Sequence, residues 1–331
     1  MNTCFDQRWI GPHGIGRFAS EVSKRLPIKA LGAPGKPLDL WDPWLLRQRL
    51  LKAKPDHFFS PGFNAPLGNP CPFSLTIHDL IHLDVPEERS PMKWAYYQAI
   101  VKPALYNARC VFTVSEASRD RLSEWSGLPE ERIVVAGNGV GPEFLPEGPS
   151  WRHPKPYVLY IGNQKPHKNV EGLVEAFGAS KLPKDFDLLL SGYLSPSIAS
   201  KIKTLRLKDN VIALGPINEK DLPSLYRGAE LLVMPSFHEG FGLPLVEAMA
   251  CGTPVIASRT PALLEIGGPA ARFFDPSNLE EMVDALEKAL DRSKTQTLRT
   301  LGLDWVRRYD WDHVAKRVLE GITKEGGRLL K

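Results

Sequence analysis

Short apolar runs, broken by loops rich in glycine and proline, set the pattern of this chain. Residues 57–60, 74–80, 111–115 and 133–135 read as buried strands, as do 157–161, 186–190, 211–214, 231–234 and 255–257. Each is brief and lacks polar alternation, as expected of strands covered on both faces. Between them, apolar residues recur at helical spacing. Phe18, Val22 and Leu26 follow a short first strand and the glycine-rich turn of residues 11–16. Helices are predicted over 91–108, from Ser115, and over 170–177, 198–205, 219–227 and 279–290. A last helical region, about 297–319, carries Trp305, Tyr309 and Trp311.

Strand and helix alternate throughout, which implies mainly parallel sheets. Pro142, Pro146, Gly148, Pro149, Pro154 and Pro156 interrupt the pattern over 141–156, the best linker candidate. The expected architecture is α/β, with Rossmann-like domains at 1–148 and 149–304 facing across a cleft. Residues 305–331 are expected to form a C-terminal helix crossing back to the first domain.

One stretch carries the most chemistry. After the strand at 231–234, Pro235 opens a loop containing Glu239, Gly240, Phe241, Gly242 and Leu243. Pro244 suits the first turn of the helix that follows, and Gly252 and Pro254 end it. Free N–H groups at such a loop-to-helix junction suit a phosphate. Glu239 and Glu247, inside the helix, would repel one, so they should face hydroxyls or a carbon that becomes positive during reaction. The competing reading leaves both glutamates solvated and favourable to the helix dipole. Gly14, Ile15 and Gly16 form a second glycine-bearing loop, but Ala19 stands where a dinucleotide fingerprint needs its third glycine. His78-Asp79 lies just past a strand, where open α/β sheets bind ligands. His78 and His82 are spaced for a metal but no third ligand is evident, so a structural histidine is the larger alternative.

Composition narrows the picture. The 331 residues suit two domains, are 43% hydrophobic and 24% charged, and have a net charge of only +4, which argues against a dedicated nucleic-acid binder. No apolar run is long enough to cross a bilayer, and the N-terminus lacks a signal-peptide layout. Cys4, Cys71, Cys110 and Cys251 are scattered, which suggests a reducing cytosol. Positive charge gathers at Lys24, Arg25, Lys29, Lys36, Arg47, Arg49, Lys52 and Lys54. It reads either as a solvated helix face or as a face for anionic lipid, which would make the protein peripheral at the inner side of the membrane.

Taken in order, Gly14-Ile15-Gly16-Arg17, His78-Asp79, Ser115-Glu116-Ala117-Ser118, Pro166-His167-Lys168-Asn169 and the block from His238 to Val255 resemble glycosyltransferase family 4 over essentially the whole chain. The look is closest to bacterial mannosyltransferase-like enzymes of surface-polysaccharide and lipopolysaccharide assembly. The resemblance implies the GT-B fold and retention of anomeric configuration. It also implies transfer of a hexose from a nucleotide-diphosphate sugar, GDP-mannose first, to a glycan or lipid-linked hydroxyl, without a metal cofactor. By position, Glu247 would hold the ribose hydroxyls, and Glu239 would stand nearest the reacting carbon. Lys168 would bind the diphosphate, and the amides of Gly240, Phe241, Gly242 and Leu243 would meet sugar and phosphate oxygens. Gly14, Ile15 and Gly16 would close over the diphosphate, His78 would stand beside the transferred sugar, and Ile217 in the 215–218 loop would meet the base. Two positions depart from the family: Asn163 and His167 stand where arginines are frequent. Lys165 or Arg17 could replace the missing cation. The alternatives are a nucleotide-sugar epimerase and a non-catalytic subunit of a glycan-assembly complex.

Overall fold

The computed structural model describes residues 1–32, 35–37, 39 and 41–323. Residues 324–331 of the expected C-terminal helix lie outside them. The chain divides into two compact units, Met1–Gly139 together with the residues from Asp310 onward, and Val140–Tyr309.

The first unit holds β1 (Thr3–Asp6), β2 (Lys29–Leu31), β3 (His57–Ser60), β4 (Phe73–Thr76), β5 (Cys110–Thr113) and β6 (Ile133–Val135). They form one parallel sheet in the order β2-β1-β3-β4-β5-β6. Phe58, Phe73, Leu75 and Val111 pack into its core with Leu46, Leu50, Leu105 and Leu122 from helices. The second unit holds β7 (Tyr157–Tyr160), β8 (Asp187–Leu190), β9 (Val211–Ala213), β10 (Leu231–Met234), β11 (Val255–Ser258) and β12 (Ala271–Phe274). Its parallel sheet runs β12-β11-β10-β7-β8-β9. Val158, Leu188, Leu190, Leu231, Val233 and Ile256 supply its core, with Val170, Leu173 and Phe177 from the helix Val170–Ala179. Counted from β7, this is the 3-2-1-4-5-6 order of dinucleotide-binding sheets.

The structure departs from the sequence reading where signals are short or composite. β2 is a three-residue edge strand with two exposed positions, so it offers no apolar run. β12 and the helix Pro261–Gly267 were likewise not anticipated, and the helix Asp42–Ala53 was given no bounds beyond a basic, solvated helix face. The region 297–319 is two helices, Arg292–Trp305 and Trp311–Thr323. The break is tied down in the second unit, where Trp305 Nε1 and Tyr309 Oη both donate to the Ile266 carbonyl, at 2.8 and 2.7 Å. Trp311 is then buried in the first unit, its ring 6.4 Å from Phe18. The stretch 91–108 is helical but widens into a π turn at Tyr97–Val101. Pro103, two residues past that turn, has no N–H and its ring would meet the carbonyl four residues back in a regular α-helix.

Candidate functional site

In the second sheet β7 leads outward to β8 on one side, while its neighbour on the other side is β10. The loops leaving two such strands diverge, and ligands of open α/β sheets bind in the crevice between them. Here those loops span 161–169 and 235–242. They are stitched together by the Phe237 N–H, which donates to the His167 carbonyl at 2.8 Å.

Lys168 ends the 3₁₀ turn Pro166–Lys168. Asn169, in the left-handed region at φ 52°, redirects the chain into the helix Val170–Ala179. That geometry brings Lys168 Nζ within 2.7 Å of Glu239 Oε1, across 71 residues of sequence. Ser236 Oγ donates to the same oxygen at 2.8 Å. Both charged side chains are largely shielded from water, so a carboxylate and an ammonium meet at reduced dielectric where the two loops part.

Glu239 leads into Gly242, whose φ of 98° favours glycine, and the helix Leu243–Ala250 begins there with Pro244 in its first turn. A Cβ on Gly242 would also sit 2.7 Å from Leu263 Cδ2. Gly240 and Leu243 flank these positions in the same loop, while the Phe241 ring is buried edge-on against Tyr309 at 5.6 Å. Glu247 is only 3% exposed, and Tyr226 Oη donates to its Oε2 at 2.9 Å. Neither glutamate is the solvated residue of the competing reading.

The two departures from the family pattern build the loop. Asn163 Oδ1 accepts from the Lys165 N–H at 3.2 Å, and the Asn163 carbonyl accepts from Tyr160 Oη. His167 is buried, with its carbonyl serving the stitch to Phe237. Lys165 is exposed beside them. Ser191 Oγ, after β8, accepts from the Gly162 N–H at 2.8 Å and donates to its carbonyl at 2.9 Å.

Ile217 is half-buried in the loop after β9, which is anchored by the Gly192 N–H donating to the Gly215 carbonyl at 2.8 Å. Next to Gly192 stands Tyr193, 78% exposed, with its ring edge 3.8 Å from where a Gly215 Cβ would be. Sequence reasoning passed over this aromatic. Its signal was a tyrosine directly after the glycine that ends a strand. Tyr226 and Ser236 were missed too, because a single tyrosine or serine outside a motif carries no mark of its partner.

In the first unit, Gly14, Ile15 and Gly16 form the first turn of the helix Gly14–Arg25. His13 caps it, its Nδ1 accepting from the Gly16 N–H at 3.0 Å. A Cβ on Gly16 would come within 2.2 Å of the Gly11 carbonyl oxygen, so the fold itself demands glycine there. His78 is buried against the Phe18 ring at 5.0 Å. Its Nε2 lies 2.9 Å from the Pro61 carbonyl, which can only accept, so the ring is protonated at Nε2. Burial lowers its pKa from the usual histidine range, favouring the neutral ring. Among the described residues no group of three or more His, Cys, Asp or Glu is placed to hold a metal ion, and no helix is long and apolar enough to cross a membrane.

Comparison with known proteins bears on the family and the fold. The family model for glycosyl transferases group 1 matches residues 143–299, and that for glycosyltransferase family 4 matches residues 6–144. O-antigen chain mannosyltransferase B of Escherichia coli is 30% identical over 261 residues, covering 74% of this chain and 68% of the relative. Serotype-specific mannosyltransferase WbdA of Escherichia coli is 27% identical over 237 residues, covering 66% of this chain but only 29% of that longer protein. Among solved structures, Anabaena Alr3699/HepE in complex with UDP and glucose superposes with a TM-score of 0.78 at 19% identity, covering 97% of this chain and 98% of its own.

Proposed function

The chain belongs to glycosyltransferase family 4 and has the GT-B fold, and from that premise we propose that it transfers mannose from a nucleoside-diphosphate mannose to a hydroxyl of a glycan or lipid-linked acceptor, with retention. The two mannosyltransferase relatives support the choice of sugar. GDP is the first choice of nucleotide, and four scattered cysteines with no CxxC pair suit a cytoplasmic setting.

The observation that carries the reading is the Lys168–Glu239 pair at the mouth of the β7/β10 crevice. Transfer breaks the bond from the sugar's anomeric carbon to the β-phosphate oxygen and forms one to the acceptor oxygen on the same face. The acceptor's proton passes to the departing phosphate oxygen. Negative charge grows on the phosphate and positive character on the sugar ring. Lys168, assisted by the amides of Gly240, Phe241, Gly242 and Leu243, stabilises the first, and preorganised groups of this kind remove several kcal/mol of barrier. Lys165 contributes a second cation beside Asn163. Glu239 faces the second. Glu247 takes the ribose hydroxyls, and Ile217 and Tyr193 border the base. This division of labour asks for no metal, since protein cations and dipoles carry the charge. Gly14, Ile15, Gly16 and His78 are assigned to the first unit's share of the work, with His78 on the acceptor side. Its neutral ring orients rather than ionises.

A thermal-shift panel of UDP, GDP and ADP and their sugars tests the donor, because a ligand bound to the native state raises its melting temperature. One nucleotide series should stabilise the protein, with its mannose conjugate doing so most. No shift with any nucleotide overturns the reading.

A further inference from the structure

The helix Asp42–Ala53 of the first unit turns Pro43, Leu46 and Leu50 inward. With about 3.6 residues per turn, Trp41, Trp44, Gln48 and Leu51 fall together on the opposite side. Trp41 is 68% exposed and Trp44 48%, and Leu51 is exposed as well. Leu67, also exposed, is held beside them. Its N–H donates to the Pro43 carbonyl at 2.8 Å, and its carbonyl accepts from Arg47 Nη1 at 3.1 Å.

Cations border this apolar stripe. Arg47 lies along one edge, Lys52 and Arg49 along the other, and Lys54 caps the helix end. The helix's one acid, Asp42, is buried and paired with Arg8. Among the described residues, no carboxylate lies within ion-pair distance of Arg47, Arg49, Lys52 or Lys54; the two arginines donate instead to the carbonyls of Leu67 and Gly32. Among the described residues, neither core burial nor a carboxylate within ion-pair distance accounts for two exposed tryptophans flanked by these cations.

We propose that this face seats the protein on an anionic phospholipid bilayer. Trp41, Trp44, Leu51 and Leu67 enter the headgroup boundary, and Arg47, Arg49, Lys52 and Lys54 meet the lipid phosphates. Tryptophan favours that boundary because its ring is apolar while its N–H stays wet. A helix with one apolar stripe between cationic edges lies in the plane of such a surface. A second copy of this chain fits poorly, since pairing the same face would set four cations against four. The inference does not depend on which donor the second unit takes.

Flotation of the full chain with vesicles tests it. The wild type should float with vesicles of phosphatidylcholine containing phosphatidylglycerol, should not float with phosphatidylcholine alone, and should be released by added salt. The Trp41→Ser/Trp44→Ser variant should lose tenfold or more in vesicle affinity. Lys52→Glu should lose about twenty-five-fold, since it changes the charge by two units and each is worth about fivefold near an anionic surface. Both variants should keep the wild-type melting temperature and its nucleotide-induced shift, which separates this face from the donor site. The proposal is overturned by a wild type that ignores anionic vesicles, or by variants that bind them as well as the wild type does. It is also overturned if light scattering shows a lipid-free dimer that Trp41→Ser/Trp44→Ser breaks.

Discussion

Replacing Glu239 by Gln should separate nucleotide binding from turnover, because Lys168 is held by Glu239 through a 2.7 Å contact. Two opposite charges about 3 Å apart attract by roughly 5 kcal/mol at an effective dielectric near 20, before desolvation is subtracted. Removing one partner of a well-buried pair costs about 3–5 kcal/mol; this pair keeps some solvent contact, so about 2–3 is expected in the unliganded protein. Lys168→Met should therefore destabilise by about that much, leaving Glu239 with the Ser236 hydroxyl. Glu239→Gln should cost a similar amount. The double variant should cost less than the sum, with a coupling of about 1–3 kcal/mol in urea unfolding. The two substitutions should differ toward ligand. On the proposed assignment Lys168 is the principal cation for a nucleoside diphosphate, so calorimetry on Lys168→Met should show affinity falling by about thirtyfold, near 2 kcal/mol. Without the Glu239 charge, Lys168 is released toward the phosphates, so diphosphate affinity should hold or rise while sugar transfer collapses. Additive unfolding energies, or a Glu239→Gln variant that binds the diphosphate as weakly as Lys168→Met, would refute the reasoning.

Glu247→Ala should weaken nucleotide binding and erase the preference for ribo- over 2′-deoxyribonucleotides, since that choice rests on hydroxyls meeting a carboxylate; competition calorimetry with the two nucleotides measures it. Tyr226→Phe removes the hydroxyl that donates to buried Glu247, and chemical denaturation should register a loss of about 1–3 kcal/mol. Gly242→Ala must place a side chain at φ 98° and against Leu263, so a stability loss of about 1–3 kcal/mol and a lower melting temperature are expected. His57 is buried with its Nε2 3.1 Å from Ser74 Oγ, and burial together with Arg109 lowers its pKa to about 4. The unfolded chain binds that proton near pH 6.5, so stability is full above 6.5 and falls as the pH drops toward 4 by about 3 kcal/mol, then levels off. Urea melts between pH 7 and 4 should lose that slope in His57→Gln, and an unchanged slope would place the acid sensitivity elsewhere.

The strands were legible because burial on both faces writes an uninterrupted apolar run, as in Leu231–Met234 and His57–Ser60. β2 was not, because its edge position leaves Lys29 and Ala30 in solvent and only Leu31 buried. The helix Asp42–Ala53 announced itself only as a basic stretch. Trp41, Trp44 and Leu51 face outward and blur the contrast between inner and outer faces on which helical periodicity depends. At the candidate site, spacing marked Glu239 and Glu247 as a unit because only seven residues of loop and helix separate them. Nothing local announces that Lys168, 71 residues earlier, meets Glu239. That encounter follows from β7 lying beside β10, a fact of strand order rather than of either motif.

Strand order also explains what Asn163 and His167 do. Both sit on the loop leaving β7, which must turn sharply at the crevice before the helix at Val170 can pack on the sheet. An arginine at 163 would give up the Oδ1 that accepts from the Lys165 N–H, and with it one of the ties that shape the turn. An arginine at 167 would place a guanidinium where the histidine ring is now buried, beside the backbone stitch to Phe237. The loop therefore uses these two positions for its own shape and leaves the charge to its lysines. Lys168 is held at the crevice by Glu239, the carboxylate assigned to the sugar. On the proposed assignment, a donor entering this site exchanges a phosphate for Glu239 at Lys168, so the event that anchors the leaving group would set the glutamate free to face the sugar ring. A diphosphate without its sugar can complete only half of that exchange, which is why the Glu239→Gln variant should favour the nucleotide while losing the reaction.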